Sequence, residues 1–254
     1  MLPANTLLYR ISICISGCVQ GVGFRPFVFN LANKHSLKGY VKNTSAGVEI
    51  NVEGNCKAID AFQNDLISQK PKLAWYEKIQ IQEMPPSFFS SFIIDNSSVD
   101  NEVSLALLPD TAICDICKSE LLDPSNRRYK YPFVHCMGCG PRFSLFESMP
   151  FDRKNTTMKD FTPCDTCLKE YTDSKNRRFF SQTICCSECG PKLTLYDKNQ
   201  NPIAKEHEAI KIVKEELLNG KIVAIKNTGG FLLLCNATNE SCVQRLRSIK
   251  KELK

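Results

Sequence analysis

Two segments of this chain are copies of each other. Set at an offset of 50, "CDICKSELLDPSNRRYKYPFVHCMGCGPRF" (114–143) and "CDTCLKEYTDSKNRRFFSQTICCSECGPKL" (164–193) each run from a C-x2-C pair through a short acidic helical stretch and an NRR turn to a second pair followed by Gly-Pro. Eighteen residues separate the two pairs in both copies. A C-x2-C turn aims two thiolates at one ion, and two such turns complete the tetrahedral shell of a closed zinc site. The spacing therefore assigns Cys114, Cys117, Cys136 and Cys139 to one ion and Cys164, Cys167, Cys186 and Cys189 to another. Cys185 competes with its neighbour, but only Cys186 keeps both the gap and the x2 spacing. His135 beside Cys136 reads as a bystander, because four cysteines already close the shell. Gly138, Gly140 and Gly190 suit tight turns whose backbone N–H groups donate to thiolate sulfur. A closed shell leaves no coordination position for chemistry, so both zinc ions are expected to be structural. Structural zinc contributes about 10–16 kcal/mol in isolated fingers, and segments this short are expected to fold only with metal.

The chain has 254 residues and fourteen cysteines, with 43% hydrophobic and 24% charged residues. Length and composition suit a globular protein of one large or several small domains. No run approaches the roughly 18 apolar residues of a membrane span, and Arg10 interrupts the apolar N-terminal stretch. The expected location is therefore cytoplasmic, where disulfide frameworks do not persist and metal explains the cysteines better. The net charge of +6 is scattered along the chain, a weak case for nucleic acid. Arg127–Arg128 and Arg177–Arg178 suit either phosphate contacts or charge pairing within each unit, where Asp123 and Asp173 precede them. Cys14, Cys18 and Cys56 lack partner spacing and read as small packing residues.

The first hundred residues predict a strand (7–16), a helix (24–35), two strands (38–43 and 47–53), a second helix (56–69) and two further strands (75–83 and 88–95). Ile11, Ile13 and Ile15 alternate as in a half-buried strand. Phe24, Phe27, Val28, Leu31 and Ala32 recur at helical spacing, as do Ile59, Phe62, Leu66 and Ile67. The order β-α-β-β-α-β builds a ferredoxin-like sheet covered on one face by two helices. Between the first strand and helix lies "GCVQGVGFR" (17–25). A glycine-rich turn opening a helix gathers backbone N–H groups and the positive end of the helix dipole, an anion site. Gln20, Gly21, Val22, Gly23 and Phe24 form the candidate phosphate-binding loop, and Arg25 can fork two donors onto phosphoryl oxygens. Asn43, closing the strand in "GYVKN", can both donate to and accept from a positioned water.

"GCVQGVGFR" followed by "GYVKNTSAGV" resembles acylphosphatase, a resemblance that implies phosphate binding by Arg25 and orientation of the attacking water by Asn43. No carboxylate or histidine base is needed, since an acyl phosphate has a stabilised leaving group. With the duplicated cysteine unit behind it, and "LALLPDTAICDIC" and "FESMPFDRKNTTMKDFTPC" as connecting text, the chain resembles the N-terminal part of the hydrogenase maturation carbamoyltransferase family, HypF. The resemblance implies hydrolysis of carbamoyl phosphate, then activation by ATP in a YrdC-like domain. It further implies transfer to the C-terminal cysteine of the partner HypE, on the way to the cyanide ligand of [NiFe]-hydrogenase.

Residues 197–254 resemble the start of that YrdC-like domain. A helix carries Ile210, Val213 and Leu217 and ends at Gly220; "KIVAIK", "NTGG" and "FLLLC" follow. Lys226 and Lys250 are candidate nucleotide contacts, although Ile249 and Glu252 stand where the family has arginines, and Phe180 stands where its second unit has histidine. The expected division is an acylphosphatase-like domain (1–96), the duplicated zinc-finger region (97–196) and an incomplete α/β YrdC-like segment (197–254), an α+β multidomain chain read as a fragment. Such a piece is expected to perform at most the acylphosphatase-type hydrolysis. A second reading, a non-catalytic zinc-ribbon protein binding nucleic acid, lacks the aromatic stacking platforms of single-strand binders.

Overall fold

The computed structural model describes residues 8–99, 108–227 and 229–251. Its first domain is built from β1 (Tyr9–Cys18), α1 (Phe24–Lys34), β2 (Lys38–Thr44), β3 (Gly47–Gly54), α2 (Cys56–Ser68), β4 (Trp75–Met84) and β5 (Phe92–Ile94). The strands form one sheet in the order β4-β1-β3-β2-β5. β1 lies antiparallel between β3 and β4, with Ile13 opposite Ile50 on one side and Ile81 on the other. The expected ferredoxin-like arrangement is present, extended by β5, which runs parallel to β2 at the edge.

Alternation in the strands decides where the core sits. Ile11, Ile13 and Ile15 of β1 face the same side as Val41, Val48, Ile50 and Val52, and the two helices close over them with Phe24, Val28, Leu31, Ile59, Phe62 and Leu66. Truncating a fully enclosed phenylalanine such as Phe62 to alanine would cost about 3–5 kcal/mol. Ile67 departs from the expected helix face and is exposed. The strand expected over 88–95 shortens to three residues, because Phe88 adopts a left-handed φ of 57° and the buried Glu53 carboxylate accepts from the N–H groups of Ser87, Phe88 and Phe89. Those bonds hold a turn where the pattern suggested a strand. Of Cys14, Cys18 and Cys56, Cys18 packs against the core; Cys14 and Cys56 are exposed rather than packed.

The two cysteine units repeat one another in detail. α3 (Asp115–Leu122) and α4 (Asp165–Thr172) each start on the first cysteine of their unit. Each is followed by a turn in which the asparagine of NRR accepts from the second arginine's N–H at 2.9 Å. Lys130 and Phe180 then both take a φ of 57°, and their N–H groups donate to Leu121 and Tyr171 at 2.9 and 2.8 Å. Beyond the second unit come a hairpin of β6 (Thr194–Tyr196) and β7 (Pro202–Lys205), α5 (Glu206–Leu218), a second hairpin of β8 (Val223–Asn227) and β9 (Gly230–Leu234), and α6 (Glu240–Lys250). Among the described residues no helix is long and apolar enough to cross a membrane.

Candidate functional site

Each expected set of four cysteines converges. Within Cys114, Cys117, Cys136 and Cys139, and within Cys164, Cys167, Cys186 and Cys189, all sulfurs lie within 4.8 Å of one another. A zinc–sulfur bond of about 2.3 Å in a tetrahedron requires sulfurs about 3.8 Å apart. The separations measured are 3.9 Å for Cys114–Cys136 and 3.8 Å for Cys136–Cys139, and 3.7, 3.8 and 3.6 Å for Cys164–Cys186, Cys186–Cys189 and Cys167–Cys189. The donor set thus fits a zinc ion in both units. Gly138 N–H donates to Cys136 Sγ at 3.4 Å, as a knuckle turn should.

Cys185 stays outside its cluster and accepts from the Tyr131 hydroxyl. His135 bonds Phe133 O and Thr183 Oγ1 through its two ring nitrogens, and burial pushes the imidazole down to about 4.

The paired arginines reach across to the opposite unit, a placement that the spacing alone did not suggest. Arg127 donates to Cys164, Cys167 and Cys186 of the second cluster, and Arg177 to Cys114 and Cys117 of the first. Arg128 pairs with Glu170 and Arg178 with Glu120, while their Nε groups donate to Cys185 O and His135 O, each at 3.0 Å. Asp123 and Asp173 instead cap local turns, accepting from Ser125 and Lys175. Both glutamates sit in a setting where burial opposes ionisation, yet the facing guanidinium groups hold them below the usual carboxylate range. Arg128 and Arg178 are buried, so neither can serve as a nucleic-acid contact.

The glycine loop leaves β1 with Gly23 at φ 78° as the N-cap of α1, a backbone that glycine adopts without strain. Among the described residues, Gly21, Val22 and Gly23 make no backbone N–H bond, and Gly21 and Gly23 open onto a cavity lined by Arg25 and Asn43. Gln20 has a bracing side chain: its amide donates to Thr44 O at 2.7 Å and Gly47 O at 2.8 Å and accepts from Phe151 N–H at 2.7 Å. Only its backbone is free to take part in a phosphate cradle. Arg25 and Asn43 are both buried, and Asn43 Oδ1 has no hydrogen-bond partner.

Sequence reasoning missed what covers this pocket. Arg25 Nη2 pairs with Asp152 at 2.7 Å and donates to Phe151 O at 3.2 Å, Nη1 donates to Ser97 Oγ at 3.3 Å, and the Phe180 ring lies 4.9 Å from the guanidinium carbon. Asn43 Nδ2 reaches the same Phe151 carbonyl at 3.5 Å. Arg142, buried beneath the first knuckle, donates from Nε to Gly21 O and from Nη2 to Cys136 O and Met137 O, so one guanidinium ties the loop to the cysteine unit. Apart from Ser97, these residues lie more than 100 positions from Arg25, and no periodicity or spacing marks them. The cavity left between domain and units is about 30 Å³, room for a water or two.

Lys226 lies in β8 with its ammonium 5.0 Å from the Phe231 ring centre, and Lys250 ends α6; the two stand on separate elements. Ile249 is exposed on α6, and Glu252 lies outside the described residues.

Known families match this chain in three places: "Acylphosphatase" over residues 11–94, "HypF finger" over 113–146 and 164–196, and "Telomere recombination" over 215–253. The carbamoyltransferase HypF of Synechocystis sp. is 46% identical over 241 residues, 95% of this chain and 31% of that protein. The probable carbamoyltransferase HypF of Methanocaldococcus jannaschii is 48% identical over 240 residues, 94% of this chain and 31% of that protein. An acylphosphatase of Pseudothermotoga lettingae is 40% identical over 88 residues, 34% of this chain and 98% of that protein. Among solved structures, full-length HypF in the phosphate- and nucleotide-bound form superimposes with a TM-score of 0.89 at 42% identity, over 96% of this chain and 32% of that one. The chain spans about 31% of the length of the curated HypF relatives it matches. It belongs to the HypF carbamoyltransferase family and corresponds to that family's N-terminal part: an acylphosphatase domain, two HypF fingers and the start of a YrdC-like domain.

Proposed function

We propose that this chain releases phosphate from carbamoyl phosphate by acylphosphatase chemistry, with Arg25 binding the phosphoryl group and Asn43 orienting the attacking water. The observation that carries the reading is the buried, unpartnered Asn43 Oδ1 in the same pocket as Arg25 and the unbonded N–H groups of the glycine loop. An orphaned buried acceptor costs about 1–3 kcal/mol, a cost that a water donating to Oδ1 removes. Gln20 through Phe24 offer backbone N–H groups to the phosphoryl oxygens, and Arg25 neutralises their charge. Water attacks phosphorus in line; the bond from phosphorus to the bridging oxygen breaks, carbamate leaves as an anion and the water's proton ends on phosphate. Positioning and charge neutralisation suffice for so good a leaving group.

The reading divides the chain at 1–96, 97–196 and 197–254, with the reaction in the first part and two structural zinc ions in the second. In the longer relatives we place this step before ATP-dependent activation and transfer to the C-terminal cysteine of HypE for cyanide synthesis in hydrogenase maturation, with Lys226 and Lys250 as nucleotide contacts. The test is phosphate release from carbamoyl phosphate by the purified protein. Arg25→Ala and Asn43→Ala are each expected to lower kcat/KM by about 100-fold or more with two zinc ions still bound. Wild-type release no faster than the uncatalysed reaction, in protein holding its metal, would sink the assignment.

A further inference from the structure

The duplicated units hold a left-handed corner at the same place, and only one of them uses it against the pocket. Lys130 and Phe180 occupy equivalent positions with equal φ of 57°. Lys130 is exposed and lies over its neighbour Tyr129, whereas Phe180 lies over Arg25 and lines the cavity with Gln182 and Thr183. The corner itself belongs to the repeated backbone, since both N–H groups make the equivalent bond; what differs is the side chain, and at Phe180 the ring fills the space beside the guanidinium.

We propose that Phe180 is the specificity-determining wall of the Arg25 pocket: it restricts the acyl group of the substrate to about the size of carbamoyl or acetyl and shuts out aryl and long-chain acyl phosphates. The proposal rests on the reading of Arg25 and Asn43 as a phosphate-release site. Two of the side chains over Arg25, those of Asp152 and Phe180, are held differently. Asp152 meets Arg25 through a side-chain ion pair, which an incoming phosphate displaces by competing for the same donors. Phe180 is fixed at several points: its N–H donates to Tyr171 O at 2.8 Å, its carbonyl accepts from Gln182 Nε2 at 2.9 Å and its ring stacks on Tyr171 at 5.1 Å. The wall therefore stays when the carboxylate leaves.

The acylphosphatase of Pseudothermotoga lettingae is matched over 98% of its length by 88 residues of this chain, so the cysteine unit that carries Phe180 has no counterpart in it. Size selection is thus a property that the second unit adds to a site the first domain already carries.

The experiment compares kcat/KM for carbamoyl, acetyl and benzoyl phosphate in wild type and Phe180→Gly. Glycine suits the left-handed backbone, so the substitution removes the ring and spares the corner; metal analysis verifies two zinc ions per chain. The wild type is expected to prefer carbamoyl and acetyl phosphate over benzoyl phosphate by about ten-fold or more, and Phe180→Gly to raise the benzoyl-to-carbamoyl ratio by about ten-fold, the order that pocket contacts provide. Should Phe180→Gly lose metal, Phe180→Leu gives the same reading with a smaller shift. Wild type that hydrolyses benzoyl phosphate as well as carbamoyl phosphate, or a ratio unmoved in a metal-replete variant, overturns the wall and leaves the phosphate-release reading standing. No release from any of the three substrates overturns both.

Discussion

The first cysteine unit turns its left-handed corner to solvent as Lys130; the second turns the same corner into the Arg25 pocket as Phe180. The framework of each unit is nevertheless matched across the pair: sulfur clusters, helix starts, asparagine-capped turns and arginines exchanged between units. Duplication preserves what the metal and the backbone require, while side chains that those requirements leave free acquire separate tasks. The exchange also couples the copies electrostatically. Four thiolates on one zinc would carry a net charge of −2, and the guanidinium set against each cluster belongs to the other unit, so neither cluster is compensated by its own segment alone.

Metal removal tests that coupling at its largest scale. A strong chelator is expected to unfold residues 113–196 as one cooperative block while β1–β5 keep their amide protection, because zinc supplies about 10 kcal/mol or more that short loops cannot replace. Hydrogen exchange reads both regions at once. Cys114→Ser sharpens the point: with the first tetrahedron broken, bound zinc is expected to fall from two to below one per chain, whereas retention of one full equivalent would show that the units fold independently.

Smaller effects follow from the exchanged ion pairs. Glu120→Gln and Glu170→Gln strand Arg178 and Arg128 in buried surroundings and are each expected to cost about 3 kcal/mol, equal within about 1 kcal/mol by denaturant titration. A clear inequality would break the equivalence of the two units. The smallest change is expected at the corner that does no work at the pocket. Lys130→Gly should leave phosphate release and substrate preference as in wild type, with stability altered by less than about 1 kcal/mol, the opposite of the ratio shift expected for Phe180→Gly.

Much of this arrangement is legible in the chain itself. Cysteine spacing identifies each ligand set and rejects Cys185, because a tetrahedron of thiolates permits few spacings. Alternating isoleucines and helical apolar faces mark the sheet and its two covering helices, since burial on one face imposes periods of 2 and 3.6. The glycine loop with Arg25 and Asn43 marks the pocket, for the donors that an anion needs are local to a strand-to-helix turn.

Periodicity fails where a distant group decides the backbone: Glu53 holds a turn at 87–89 inside an apparent strand. It is silent on Asp152, Phe151 and Arg142 at the pocket, whose closeness to Arg25, Asn43 and Gly21 depends on how two domains dock. The arginine pairs show the same limit, for their sequence neighbours Asp123 and Asp173 are not their partners. The sequence by itself determined the two four-cysteine sets, the first domain's fold and the two principal pocket residues, all encoded by short-range spacing. Only the tertiary structure decided which unit neutralises which cluster and what stands over Arg25, because those contacts join surfaces that no local pattern connects.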